Sequence, residues 1–359
     1  QRSVAIDERL LHEVMLRTAR LMAQWQAVGF SHGVMNTDNM SILGLTFDYG
    51  PFGFMEAYDP GYICNHSDHG GRYAYDQQPQ IGLWNLTALA HALTPLIALE
   101  ELQRILNEYG DVYSERYVEL MAQKLGLRYH GLEDFALIEP LLEMMRVSEL
   151  DYTNLFRQLG CFRSAPGELN RELRDQFINT AAFDEWSAAY RARLQAEAGS
   201  DAERKVRMDR VNPKYILRNY LAQTAIQKAE AERDFSEVDR LLALLSRPFD
   251  EQPEMEAYAA PAPEPEPEND SPFGAPPAAK PAPGEDIEPE SEPDEPKPAT
   301  AATQELRIQL TSPAPIVNGG DSAPPSVTSA KAPSSTSPPK SAMRTVSPEF
   351  PGNPVNIAS

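Results

Sequence analysis

The stretch that decides the fold runs His32-Gly33-Val34-Met35-Asn36-Thr37-Asp38-Asn39, and after eight intervening residues it is followed by Asp48-Tyr49-Gly50. These two polar segments interrupt a sequence that is otherwise apolar and periodic on both sides. Residues 40–47, between the segments, have the apolar character of a short β-hairpin. We therefore predict that a hairpin at this point holds Asp38 and Asp48 toward one site.

Helical patterns surround this stretch. Within residues 6–28, apolar side chains recur at steps of three and four and form one face, and Gly29 follows where a left-handed residue would end the helix. From residue 80 to 245 one amphipathic pattern follows another. These patterns include an apolar stripe from Phe135 to Met145 and a helix start at Asn212-Pro213. The sequence thus predicts a mainly α fold.

The last third of the chain has a different composition. Most of the 32 prolines lie beyond Asp250, and residues 251–298 carry 14 acidic side chains against two lysines. Such a segment buries too little apolar surface to offset the entropy of the chain. We predict a folded domain over residues 1–250 and an acidic, Pro-rich, then Pro/Ser/Thr-rich disordered tail over residues 251–359.

Charge and hydropathy limit the classes of partner. The formal net charge is -21, and no cluster of Lys and Arg offers the neutralisation that a nucleic-acid backbone requires. No apolar run approaches the roughly 20 residues that span a bilayer. Two distant cysteines do not indicate a disulfide framework, and the sequence gives no compartment. We expect neither a nucleic acid nor a membrane among the partners.

The polar segments fit the chemistry of kinase-like enzymes. Those enzymes use an Asp near the nucleophile, an Asn for metal and an Asp-x-Gly whose carboxylate binds metal at the nucleotide phosphates. The usual loop reads His-x-Asp-x-x-x-x-Asn; aligned on His32 and Asn39, Val34 stands where the Asp belongs and the carboxylate is Asp38. Asp and Asn in loops also cap helices and form turns. Spacing alone leaves both interpretations open.

Both segments closely resemble the selenoprotein O (YdiU) family of protein adenylyltransferases. The resemblance extends over residues 6–249 and includes Cys64-Asn65-His66-Ser67-Asp68-His69, Gln78-Pro79, Leu83-Trp84-Asn85-Leu86, Asp151-Tyr152-Thr153, Ala182-Phe183-Asp184, Asn212-Pro213 and Leu217-Arg218-Asn219. It implies a protein-kinase-like fold, of which this chain would supply the C-lobe. It also implies transfer of AMP from ATP to Ser, Thr or Tyr hydroxyls of other proteins.

The resemblance assigns roles by position. Asp38 is then the base that accepts the proton of the acceptor hydroxyl, and Asn39 and Asp48 are ligands of Mg²⁺ or Mn²⁺. The family's nucleotide-binding N-lobe would precede Gln1, so no nucleotide-contacting residue is assigned in this chain. The redox-active Cys or selenocysteine that commonly ends family members has no counterpart in 353–359. Family members are mitochondrial in eukaryotes and cytoplasmic in bacteria.

Several alternatives stay open at the level of sequence. One is ordinary γ-phosphate transfer, against which Val34 counts; another is an inactive scaffold whose acidic, Pro-rich tail recruits partners. Cys64, His66 and His69 have a spacing that can ligate zinc, although a hydrogen-bonded structural loop is the favoured interpretation. Arg72 is the nearest cation that could meet a phosphate, but a surface salt bridge is the favoured interpretation for it.

Overall fold

A computed structural model describes residues 4–263, and this part of the chain is mainly helical. Its α-helices are α1 (Val4–Val28), α2 (Gln78–Ala92), α3 (Leu99–Asn107), α4 (Tyr109–Lys124), α5 (Phe135–Val147), α6 (Tyr152–Leu159), α7 (Arg171–Arg174), α8 (Thr180–Gln195), α9 (Asp201–Asp209), α10 (Asn219–Glu232) and α11 (Ser236–Leu245). Short 3₁₀ helices lie at Thr37–Asn39, Tyr75–Gln77, Leu132–Asp134 and Pro253–Ala259. The strands are β1 (Phe30–Ser31) and β2 (Gly53–Phe54).

Helix α1 lies at the centre of the first half of the fold. It packs against α2, α3 and α4, and its buried face includes Leu11, Met15 and Met22, which are fully inaccessible to solvent. Gly29 has a φ of +71°, and a Cβ there would lie 2.9 Å from Cδ1 of Tyr152. The left-handed conformation and the close approach together require glycine. The predicted helix and its glycine end are confirmed.

The two strands pair antiparallel in a small sheet. Phe30 lies opposite Phe54 and Ser31 opposite Gly53, so the strands join the two ends of the loop formed by residues 32–52. The backbone N–H of Met55 extends the pairing by donating to the carbonyl of Gly29 at 2.8 Å. Everything between the strands, including both polar segments, is therefore held at its base by α1 and β2.

The hairpin predicted at residues 40–47 is wrong. This segment contains a turn, closed by a hydrogen bond from Gly44 N–H to the Ser41 carbonyl at 3.1 Å, and then extended chain without a strand partner. Ile42, Leu43 and Leu45 are each more than half exposed. Their apolar character produced the β-like pattern, but the described residues provide no neighbouring strand for it.

The second half of the described chain supplies most of a large hydrophobic core. Helix α5 forms where predicted and packs against α8, where the Trp186 indole N–H donates to the Leu137 carbonyl at 2.9 Å. The buried residues of α5 follow the predicted stripe and are Leu137, Ile138, Leu141, Leu142 and Met145. The prediction of an amphipathic helix here is confirmed.

The helix start predicted at Asn212-Pro213 is wrong, because α10 begins only at Asn219. Asn212 is fully buried, and its side-chain N–H donates to the carbonyl of Lys124 at 2.9 Å. It satisfies a carbonyl at the end of α4 instead of capping a helix of its own. An asparagine before a proline indicates a helix start only where the side chain is free to fold back.

The predicted tail lies outside the described residues except for its beginning, 251–263. Gln252 is buried, and Glu251 contacts Lys214 at 2.6 Å and Arg157 at 2.7 Å. The 3₁₀ helix Pro253–Ala259 follows. Over residues 4–263 no helix combines the length and the apolar character that a bilayer crossing needs.

Candidate active site

Helix α2 anchors the main chain of the loop at residues 30–35. The buried Gln78 side chain accepts a hydrogen bond from His32 N–H and donates one to the Phe30 carbonyl, both at 2.9 Å. Further along the same helix, the buried Asn85 side-chain amide donates a hydrogen bond to the Met35 carbonyl at 2.9 Å. Because both anchors sit on one rigid helix, they fix the loop at two points.

The segment after β2 anchors the same loop from a second direction. Asn65 donates to the Gly33 carbonyl at 3.2 Å, and the Cys64 thiol lies 3.4 Å from the Ser31 hydroxyl. Gly33 has a φ of +82°, and a Cβ there would lie 2.6 Å from the Pro51 carbonyl oxygen. Burial raises the pKa of the Cys64 thiol, so it stays protonated and acts as a donor.

Asp38 lies in the 3₁₀ helix Thr37–Asn39, and its side chain is exposed. The turn is closed by Asn39 N–H donating to the Asn36 carbonyl at 3.0 Å, and the Asn36 side chain accepts from the Tyr73 hydroxyl at 2.5 Å. Within residues 4–263 the Asp38 carboxylate has no hydrogen-bond partner and caps no helix. The turn is therefore stabilised by its neighbours, which leaves the Asp38 carboxylate available.

The two polar groups of the Asn39 side-chain amide have different surroundings. Its side-chain N–H donates to the Val34 carbonyl at 3.3 Å, which fixes the orientation of the amide. The amide oxygen accepts no hydrogen bond from the described part of the chain. Val34 itself is half-buried and contributes only its backbone here.

Asp48 follows a segment that is fixed by α1 and the loop. The Trp25 indole N–H donates to the Thr46 hydroxyl at 2.9 Å. The Nε2 of His32 lies 2.9 Å from the Phe47 carbonyl, and because a carbonyl only accepts, Nε2 carries the proton. The structure thus joins the two polar segments at His32 and Phe47, one residue before Asp48.

The backbone of Asp48 is in the left-handed region, with a φ of +56°. Asp and Asn adopt this conformation more readily than other residues with side chains. Its carboxylate is exposed and has no hydrogen-bond partner among residues 4–263. The backbone of Asp48 therefore forms a turn, while its carboxylate makes no hydrogen bond within the described chain.

The donor set fits a hard divalent cation held largely by its substrate. Asn39 offers an amide oxygen and Asp48 a carboxylate, and Mg²⁺ takes one or two such protein ligands together with phosphate and water. Across residues 4–263 no three His, Cys, Asp or Glu side chains are grouped closely enough to hold a metal ion by themselves. The zinc interpretation of Cys64, His66 and His69 finds no support there, since Cys64 hydrogen-bonds to Ser31.

Sequence reasoning missed the residues that hold the loop. Trp25, Tyr73, Gln78 and Asn85 contact it from positions up to 50 residues away in the chain. The motifs Gln78-Pro79 and Leu83-Trp84-Asn85-Leu86 contain two of them. A polar residue on the buried face of a helix indicates a hydrogen bond to another part of the chain, and this signal could have identified Gln78 and Asn85.

The salt bridge considered for Arg72 is absent from residues 4–263, where no carboxylate lies within 4 Å of its guanidinium. The guanidinium is stacked over the Trp84 ring instead, 4.8 Å from the ring centroid.

Comparison with known proteins agrees with the motifs. Residues 3–246 match the family described as "Protein adenylyltransferase SelO". Proteins named "Protein nucleotidyltransferase YdiU" are similar to the chain: that of Myxococcus xanthus is 58% identical over 252 residues, and that of Thiobacillus denitrificans 56% identical over 250. Each alignment covers 70% of this chain and 51% of the relative. The chain therefore spans about half the length of the curated relatives it matches.

Proposed function

The chain belongs to the SelO/YdiU family of protein nucleotidyltransferases, and from this premise we propose that it carries the catalytic base and the metal ligands of a protein adenylyltransferase. The full protein would transfer AMP from ATP to Ser, Thr or Tyr hydroxyls of other proteins. The observation that carries the proposal is the His32–Phe47 hydrogen bond, which ties the start of the loop to the residue before Asp48. The carboxylates of Asp38 and Asp48 on this loop are exposed and have no hydrogen-bond partner in the described chain.

Asp38 is the proposed base. The oxygen of the acceptor hydroxyl attacks the α-phosphorus of ATP, the bond from that phosphorus to the oxygen bridging the β-phosphate breaks, and pyrophosphate leaves. The hydroxyl proton passes to the Asp38 carboxylate. A base must approach the acceptor directly, and an exposed carboxylate on a rigid 3₁₀ turn meets that need.

Asn39 and Asp48 are the proposed metal ligands. Mg²⁺ or Mn²⁺, when bound, would neutralise charge on the phosphates during transfer. The contribution of this chain is positional: the Val34 carbonyl orients the Asn39 amide, and Trp25 and His32 fix the segment before Asp48. Such positioning is most of what a protein supplies in this chemistry.

The fold supports placing this chain as the C-lobe of a kinase-like enzyme. A long helix, a polar loop and an Asp-x-Gly segment follow one another, and a helical body comes after them. Val34 replaces the carboxylate of the usual kinase loop, and its half-buried side chain cannot act as a base. We place the remaining nucleotide contacts in the part of the relatives' length that this chain does not span.

The test uses the full-length protein, Mg²⁺ or Mn²⁺, and ATP labelled on either the α- or the γ-phosphate. Label from the α-phosphate should enter protein, and label from the γ-phosphate should leave as pyrophosphate. Incorporation from the γ-phosphate alone would identify a kinase, and incorporation from neither would contradict both activities.

A further inference from the structure

Arg72 and Trp84 form an exposed cationic and aromatic pair. The Arg72 guanidinium lies 4.8 Å from the Trp84 ring centroid and 5.6 Å from that of Tyr73. Trp84 is 48% exposed, and Arg72 is also exposed. The chain has 53 acidic and 32 basic residues, yet in residues 4–263 no carboxylate pairs with Arg72. Its guanidinium donors are consequently available to an external anion.

The pair lies alongside the loop that carries Asp38. Tyr73, next to Arg72 in the chain, donates to the Asn36 side chain at 2.5 Å. Asn85, next to Trp84, donates to the Met35 carbonyl at 2.9 Å. The immediate neighbours of both members of the pair are therefore bonded to consecutive residues of the loop, two and three positions before Asp38.

The backbone under Arg72 is also fixed. The Asp68 carboxylate accepts hydrogen bonds from Arg72 N–H at 2.9 Å and from Tyr73 N–H at 2.7 Å. Both carboxylate oxygens of Asp68 thus accept hydrogen bonds from the backbone, and Asp68 forms no ion pair with the Arg72 guanidinium. A side chain that is stacked on a ring and mounted on a fixed turn loses little entropy when it binds a ligand.

We propose that Arg72 and Trp84 form an acceptor subsite, which binds an acidic side chain adjacent to the hydroxyl that is modified. This inference rests on the proposed function. A guanidinium binds a carboxylate through two parallel hydrogen bonds, and the Trp84 face offers an apolar surface for the acceptor chain. The chain neighbours of the pair, Tyr73 and Asn85, are bonded to Asn36 and Met35, whereas the Asp48 segment is fixed by Trp25 and His32. The geometry therefore favours the acceptor over the nucleotide as the source of the anion.

The first measurement is peptide binding by the full-length protein. Two fluorescein-labelled peptides with one Tyr are compared by anisotropy, one with Glu on both sides of the Tyr and the other with Gln in the same positions. We expect the Glu peptide to bind about tenfold more tightly, as charge-assisted hydrogen bonds allow. Arg72→Gln should remove this preference, and Trp84→Ala should weaken the binding of both peptides.

The matched control is Arg210→Gln, because Arg210 is exposed at the end of α9 and has no ion pair among the described residues. It should retain the preference. Arg72→Glu should favour a third peptide with Lys beside the Tyr, which shows that the variant is folded. The subsite is wrong if wild type binds the Glu and Gln peptides equally, or if Arg72→Gln keeps the preference. In the second case, weaker ATP binding by Arg72→Gln would show that the guanidinium binds the nucleotide instead.

Transfer from α-labelled ATP to the same peptides separates this inference from the proposed function. Arg72-dependent binding of the Glu peptide without any AMP transfer would overturn the function and support the subsite. AMP transfer with equal kcat/KM for the Glu and Gln peptides would support the function and overturn the subsite.

Discussion

At the scale of single residues, Asp38 and Asp48 have different surroundings that separate their proposed roles. Asp38 sits on a 3₁₀ turn that its neighbours stabilise, so changing its side chain leaves the turn intact. Asp48 occupies a left-handed backbone position, so its identity matters to the chain itself. A substitution at each position therefore has to be chosen for the backbone as well as for the charge.

Asp38→Asn should fold normally, bind Mg²⁺-ATP as wild type does, and lose turnover. The expected loss is about 10²–10⁴-fold, which is typical for removal of a general base. Transfer from α-labelled ATP in the full-length protein measures it, with a parallel titration of nucleotide binding. Asp239→Asn, which alters an exposed acid on α11, is the control and should be fully active. Near-normal transfer by Asp38→Asn would show that Asp38 is structural.

Asp48→Asn should weaken metal-dependent ATP binding and abolish transfer at unchanged stability, because asparagine tolerates a positive φ. Asp48→Ala should show the same binding defect and also lose about 1 kcal/mol of unfolding free energy through backbone strain. Calorimetric titration with ATP at several Mg²⁺ concentrations and urea unfolding separate the two effects. If Asp48→Asn binds Mg²⁺-ATP normally, Asp48 is a turn residue and not a ligand.

Lys124 gives a pH-dependent prediction away from the site. It is buried, with its ammonium 4.3 Å from the Phe156 ring centroid and 5.3 Å from that of Tyr152, and burial lowers its pKa to about 7. In the unfolded chain the pKa of lysine is about 10.4. Above pH 7 the unfolded state therefore binds more protons than the native state, so the Lys124 contribution to stability rises with pH.

Lys124→Met should lack this rise. From pH 7 to 9.5, below the titration of unfolded tyrosines, wild type should gain unfolding free energy relative to the variant by at most about 1.4 kcal/mol per pH unit. Urea unfolding of both proteins at each pH measures the difference. Parallel curves would mean that Lys124 is not neutral in the native state at alkaline pH.

At the scale of elements, apolar periodicity predicted α1 and α5 well because their buried faces repeat at helical spacing. Apolar periodicity failed at residues 40–47, where exposed Ile42, Leu43 and Leu45 imitate a strand. The capping signal failed at Asn212, whose side chain bonds to α4 instead of starting a helix. The polar motif located the candidate site. The side chains that hold it come from distant elements, and their contacts depend on packing that no local pattern contains.

Helix α2 supplies the element-scale prediction. Gln78→Ala leaves His32 N–H and the Phe30 carbonyl without their buried partner, which should cost about 1–3 kcal/mol. Hydrogen exchange should quicken at residues 30–33 before the rest of the domain opens. Gln80→Ala, on the exposed face of the same helix, should change neither quantity. Unchanged exchange at residues 30–33 in Gln78→Ala would show that α2 does not fix the loop.

At the scale of the whole molecule, residues 251–263 connect the end of the described chain to the segment that follows β2. Buried Arg218 contacts the carboxylates of Glu56 and Asp151 and reaches the Ala259 carbonyl at 3.4 Å. Lys214 and Arg157 hold the pKa of Glu251 at about 2, so this carboxylate stays charged into acid solution. Glu56 lies two residues after β2. Strand β2 pairs with β1 and so closes the loop that carries Asp38 and Asp48.

Two truncations test whether 251–263 belong to the folded unit. Removal of 264–359, whose composition predicts disorder, should leave the melting temperature of the chain unchanged. Removal of 251–359 also deletes Gln252 and the partners of Lys214, and it takes the Ala259 carbonyl from Arg218. The melting temperature should then fall by several degrees, at about 2–4 °C per kcal/mol for a domain of this size. Because Arg218 also holds Glu56, hydrogen exchange should quicken at residues 53–58 in the shorter chain only. Equal melting temperatures and equal exchange in the two truncated chains would place the end of the folded unit at residue 250.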